Sequence, residues 1–271
     1  MPQDLPLFCI SLALYALAAL LFALGLTGDS DKKFRAGLIL AIAGVLLHTV
    51  SLGLRWYFSG HMPGNNLYEL NSVGGWLSVL VYLGFQARYP KVRSVGLIVL
   101  AITLGMMLYG VSKPHDIGPL SEEYQSRWFF LHIVSAFLAY SCYVVATSAA
   151  VLLILKHHLG MQKLFVGRLP EGDLLVEVNA RFVAYGMVGH AVMLVSGSVW
   201  ANTAWGRYWN WDPVETWSLI TWLIYAFHLH ARAFLHWNGL RLAWVSILAL
   251  GAIVFTFWGV SHLPTGAVSG L

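Results

Sequence analysis

Two cysteines in 271 residues, and one charged residue in ten, are the scarcest chemistry in this chain. Cys9 and Cys142 lie in separate apolar runs and form no CxxC, so a thiol-redox motif and a zinc knuckle are both excluded. No CxxCH occurs either, which excludes a c-type cytochrome. A soluble domain carries about 25% charged residues. Here the charged share is 10% and the hydrophobic share 58%, with a mean hydropathy of +0.69. A surface that apolar has to face lipid. The net charge of +4 does not point to nucleic acid, because the basic residues sit in short loops between apolar runs. The run from Leu5 has no basic segment before it and is too long for a signal-peptide core, so it reads as a retained first span.

A spanning helix needs about 20 apolar residues. Eight runs qualify: 5–26, 36–58, 67–85, 95–111, 128–155, 182–200, 216–235 and 242–260. The third is diluted by Glu69, Asn71, Gly74 and Gly75. No repeat or low-complexity linker is evident, so one domain, 1–271, is expected. Of the 16 Lys and Arg, only Arg55, Lys113, Arg127 and Arg207 fall on the side that holds the termini. The positive-inside rule then places both termini outside. The expected fold is all-α, a polytopic transmembrane bundle of about eight spans. Trp56, Trp128, Trp200 and Trp258 lie at the outer helix ends, as an interfacial belt would.

Six of the 12 Trp lie between Trp200 and Trp222, more than a belt requires. Indole rings offer stacking area at little rotamer cost and an N–H for a polar rim. Gly206 allows a turn, and Arg207 offers a bidentate donor to a carboxylate. Asp212, Pro213 and Glu215 read as an N-cap, an N1 proline and a capping-box acid. Trp205, Trp209 and Trp211 thus suit a planar ligand edged with carboxylates. Haem fits; from the rings alone, so do a quinone and a sugar.

Of 11 His, two fall at one depth near this loop. His132 lies roughly 6–8 Å below the outer start of the fifth span, and His262 lies just past the eighth. Two neutral imidazoles on opposite faces of a porphyrin make a bis-His site. His228 and His230 sit near the inner end of the seventh span, about 200° apart around it, so only one can face a given ligand. A titratable group at membrane depth is a functional candidate, and His230 is a candidate ligand for a second, inner haem. His48 and His190 read as structural.

The stretch 205–225, WGRYWNWDPVETWSLITWLIY, resembles the WWD signature of haem-handling membrane proteins. With LHAR at 229–232 and LRWYFSGHMPGNNLYE at 54–69, it is similar to the CcsA/ResC family of System II cytochrome c biogenesis, a relative of CcmC and CcmF. The resemblance implies haem b as cargo. It implies an outer iron between His132 and His262, and an inner iron held by His230 with its second ligand from a CcsB-like membrane partner. It implies covalent attachment of haem to a CxxCH apocytochrome c by a CcsA–CcsB synthase. The setting it implies is a bacterial inner membrane or its thylakoid equivalent, with the WWD loop facing the periplasm or lumen. Catalytic nucleophiles of its own are not expected, since the reacting thiols belong to the apocytochrome. Two other readings remain: a CcmC-like exporter passing haem to a separate chaperone, and a bis-His cytochrome passing electrons to quinone.

Overall fold

The structure is a computed structural model describing residues 4–28, 30–159 and 169–259. Eight long helices account for the described chain: α1 (Leu5–Gly28), α2 (Asp31–Ser59), α3 (Leu67–Arg88), α4 (Val95–Val111), α5 (Arg127–Leu159), α6 (Gly172–Trp205), α7 (Pro213–Ala233) and α8 (Gly239–Val254). Two 3₁₀ turns, Pro90–Val92 and Glu122–Tyr124, sit in connections, and a π turn, Phe255–Gly259, follows α8. A helix satisfies its backbone N–H and C=O groups internally, which hydrocarbon demands. Five of the helices are long and apolar enough to cross a bilayer, and α4 is a shorter apolar helix. The expected polytopic helical bundle is what is found.

The bundle is apolar on its outside, and its largely apolar core also holds polar side chains. Leu17, Leu20, Ile39 and Leu46 of α1 and α2 are exposed, whereas Ser11, Tyr15 and His48 on the same helices are buried. The polar residues that dilute α3 point inward: Glu69, Asn71, Ser72 and Ser78 are all buried. Their presence reflects packing between helices, where hydroxyls and small residues permit close approach.

Helix boundaries follow capping chemistry rather than hydropathy. Ser30, Asn66, Asp212 and Asn238 cap α2, α3, α7 and α8, each accepting a first-turn N–H. Gly60 and Gly206 end α2 and α6 in the left-handed conformation, both at φ 75°. α6 begins ten residues before its apolar run, because Asp173, Glu177 and Arg181 extend it past the apolar part. There Glu177 pairs with Arg181 and with Arg232 of α7, each at 2.6 Å.

The first four helices pack as one group and the last four as another, joined through α3 and α4 against α5. At one end of the first group, Arg55 is 1% exposed. Its Nε donates to Glu69 at 2.7 Å, and Nη1 and Nη2 donate to the carbonyls of His115 and Asp116 at 2.9 and 3.1 Å. Asp4 lies 3.5 Å from Nη1 and accepts from Tyr68 at 2.8 Å. This clamp ties the start of α1, the end of α2, the start of α3 and the segment after α4 to one end of the molecule. The other end carries Asp31–Arg93 at 2.7 Å and the Glu177 pairs.

Candidate functional site

A cleft of about 390 Å³ opens at the Arg55 end of the second four-helix group. Its walls are α5, α6 and the start of α7, with the Trp-rich loop between α6 and α7 at its mouth. His132, Gly197, Trp200, Trp205, Trp209 and Glu215 line it, along with Asp212 and Ser218.

His132 is fixed by the backbone of α6: its Nδ1 lies 2.9 Å from the Met193 carbonyl oxygen. A carbonyl only accepts, so Nδ1 carries the proton and Nε2 keeps its lone pair. Metal-binding imidazoles are commonly oriented in this way. Gly197 makes the close approach possible, because a Cβ there would lie 2.6 Å from Nδ1. Trp200 lies alongside the imidazole with centroids 5.8 Å apart and planes 34° apart, and its indole N–H donates to the Glu123 carbonyl at 2.7 Å. Trp205 continues the surface, 5.0 Å from Trp200.

The loop is held by its own polar groups. Asp212 accepts from the N–H groups of Val214 and Glu215 at 2.8 and 2.9 Å, the expected N-cap. Glu215 reaches back to the Asn210 N–H at 2.8 Å. Trp211 takes φ 58°, a left-handed conformation unusual for a bulky residue, and is 69% exposed. Its ring meets Trp209 edge-on at 5.7 Å. The indole N–H of Trp209 is buried and has no hydrogen-bond partner among the described residues. An unmatched buried donor costs about 1–3 kcal/mol; in a cleft wall, it is a group that a bound ligand would satisfy.

The structure brings His132, Trp205, Trp209 and Asp212 together. Arg207 is exposed, donates to Asn210 at 2.9 Å and is not part of the cleft lining. Gly206 ends α6, and Trp211 faces outward. His230 lies near the opposite end of α7, exposed on the outside of the bundle, its ring 4.9 Å from Phe234. His228, by contrast, is fully buried, with Nε2 2.8 Å from Asn179 Oδ1. His262 and the side chain of Trp258 fall outside the described residues. Trp56 and Trp128 are exposed as belt residues should be, but Trp200 belongs to the cleft. Sequence periodicity missed Met193 and Gly197, because a backbone acceptor and an absent side chain leave no compositional signal. A larger groove, about 500 Å³, runs between α3–α4 and α5–α8. Its lining is mostly apolar and holds no imidazole, as a lipid-facing seam would be.

These features define a polytopic helical membrane protein with an imidazole at the floor of a tryptophan-lined cleft. Residues 65–267 match the family model described as cytochrome C assembly protein, and the chain belongs to that family. It is 34% identical over 257 residues to cytochrome c biogenesis protein CcsA of Parasynechococcus marenigrum, covering 84% of each chain. It is 31% identical over 268 residues to CcsA of Guillardia theta, covering 90% of this chain and 88% of that one. The solved structure of cytochrome c heme lyase CcmF shares the fold, with a TM-score of 0.65 at 19% identity. The match covers 96% of this chain and 51% of that one, so the present chain spans about half its length.

Proposed function

We propose that this chain holds haem b as cargo in the His132 cleft and presents it to the CxxCH thiols of an apocytochrome c, acting with a CcsB-like membrane partner as a cytochrome c synthase. The observation that carries this reading is His132: Nδ1 committed to a backbone carbonyl, Nε2 free, and indoles beside it. His262 supplies the second outer imidazole. Trp205 and Trp209 take the macrocycle, and Arg207, at the loop surface, meets a propionate. The cleft is open on one side, which suits a substrate that must expose its vinyl edge. Each attachment adds a thiol S–H across a vinyl C=C, forming a C–S bond and placing the proton on the neighbouring carbon. The chain contributes position rather than a nucleophile.

His230 fits the second, inner iron with a ligand from the partner, because it faces out of the bundle where another helix can reach it. The basic residues at the far end support placing that end inside and the tryptophan loop in the periplasm or lumen. A quinone-reducing cytochrome would need imidazoles facing one another within the bundle. His48 does not serve, since its Nδ1 and Nε2 lie 3.4 and 2.9 Å from Tyr15 and Ser72 hydroxyls.

The test is co-expression of this chain, a CcsB-like partner and a CxxCH apocytochrome in a host without other assembly genes. Haem that stays with the apocytochrome through denaturing electrophoresis is the predicted result. Haem that purifies with the chain but never becomes covalent would favour the exporter.

A further inference from the structure

The two four-helix groups repeat one another, and the repeat explains how the cleft arises. Each group packs first helix on second, second on third, third on fourth and first on fourth. In α1–α2, the Tyr15 hydroxyl lies 3.4 Å from Nδ1 of the buried His48; in α5–α6, the Tyr143 hydroxyl lies 3.4 Å from Nδ1 of the buried His190. Four residues before each histidine is a glycine that cups the tyrosine ring, Gly44 for Tyr15 and Gly186 for Tyr143. Eleven residues before the tyrosines stand Asp4 and His132. Three residues after the histidines stand Ser51, which donates to the Asp4 carbonyl at 2.9 Å, and Met193, whose carbonyl accepts from His132 at 2.9 Å.

The connections match as well. Segments 60–76 (GHMPGNNLYELNSVGGW) and 206–222 (GRYWNWDPVETWSLITW) share Gly, Glu, Ser and Trp at the same offsets. Both begin with a left-handed glycine and reach an Asx cap six residues later. In both, the glutamate accepts from the N–H four residues after the glycine: Gly64 to Glu69 and Asn210 to Glu215, each at 2.8 Å. Trp76 and Trp222 each donate to the second helix of their own half, but at positions one turn apart: Thr49, one residue after His48, and Met187, three residues before His190.

One difference stands out. From histidine to terminal glycine is 12 residues in α2 and 16 in α6. The extra four are one helical turn, about 5.4 Å. They lengthen α6 between His190 and the loop, while Glu215 still lines the cleft together with His132. His48 Nε2 lies 2.9 Å from the Ser72 hydroxyl, whereas His190 Nε2 has no side-chain partner among the described residues. Arg55 has two counterparts, Gly197 counted from the histidine and Ala201 counted from the loop. Both are small, and both line the cleft.

The geometry points to the haem cleft being an opened copy of the Arg55 junction, made by one inserted turn and by loss of the arginine, with Gly197 and Ala201 determining what it admits. This rests on the reading that haem occupies the cleft. In the first half, arginine bridges the counterparts of His132 and Glu215. In the second, that volume is left for a planar guest.

The experiment is Ala201→Arg in the purified full chain, with and without Glu215→Gln, beside His132→Ala. Copurified haem and the melting midpoint are both read. Ala201→Arg should lose haem as fully as His132→Ala, because the guanidinium fills the seat. Glu215→Gln should lower the midpoint of Ala201→Arg by more than it lowers that of the parent, because it strands the new arginine. Equal lowering in the two backgrounds, or undiminished haem in Ala201→Arg, would overturn the proposal. Gly197→Ala gives a second reading if Ala201→Arg is too unstable to purify: its Cβ should shift the imidazole and alter the haem spectrum, and an unchanged spectrum counts against the proposal. Haem absent from the parent chain would instead defeat the functional reading, while the melting comparison would still judge the repeat.

Discussion

His132 on α5 and Met193 on α6 are joined by a single bond, Nδ1 to carbonyl oxygen at 2.9 Å. It fixes the tautomer, aims Nε2 and ties the two longest helices together at the level of the cleft floor. Because the acceptor is main chain, no substitution at position 193 removes it. The imidazole can be disturbed from its own side, from Gly197 or from Trp200 alongside it.

Gly197→Ala should therefore act locally. The added methyl meets the imidazole at 2.6 Å, an overpacking expected to cost about 1–3 kcal/mol. Denaturation in detergent would measure that loss, and bound haem should fall with it. Gly53→Ala is the control, since nothing lies within 4 Å of its added Cβ.

The Arg55 clamp predicts the opposite pattern. Arg55→Ala leaves Glu69 and Asp4 buried without their cation. Breaking a buried pair from one side costs about 3–5 kcal/mol. The chain should unfold at lower denaturant, while the folded fraction keeps its haem spectrum. A spectrum lost at full stability would make the clamp part of the site.

His228 and His230 should separate cleanly. His228→Leu strands Asn179 Oδ1 in the core, a loss of about 1–3 kcal/mol, and should appear as reduced stability with or without a partner. His230→Ala removes an exposed ring and should leave stability unchanged. It should abolish the inner haem only when the CcsB-like protein is co-expressed. Haem loss from His228→Leu at unchanged stability would reverse these assignments.

Asp212 distinguishes capping from ligand binding. Asp212→Asn keeps an N-cap acceptor and should retain both stability and haem. Asp212→Ala should cost about 1 kcal/mol, measured by thermal unfolding. If Asp212→Asn is as damaging as Asp212→Ala, the negative charge itself is needed.

The helices and the loop were legible in the sequence, because hydropathy marks spans and Asp212-Pro213 marks a helix start. The length of α6 was not, since Glu177 and Arg181 dilute its first turns while pairing with α7. Trp200 read both as a belt residue and as the first of the Trp cluster, because only tertiary contact shows that it lies beside His132. The repeat stayed hidden because segments 60–76 and 206–222 agree at only four positions. Of these, the glycine and the glutamate shape the turn, and the serine and the tryptophan lie in the helix that follows. Gly197 and Ala201 could not be found at all from sequence, because their contribution is the volume they leave open.

The most direct measurement is the reduced absorption spectrum of the purified chain and of His132→Gly, each with and without added imidazole. The parent should show a six-coordinate bis-imidazole spectrum. His132→Gly should lose it, and free imidazole, entering the space left beside Trp200, should restore it. A bis-imidazole spectrum that survives in His132→Gly without added imidazole would contradict the account.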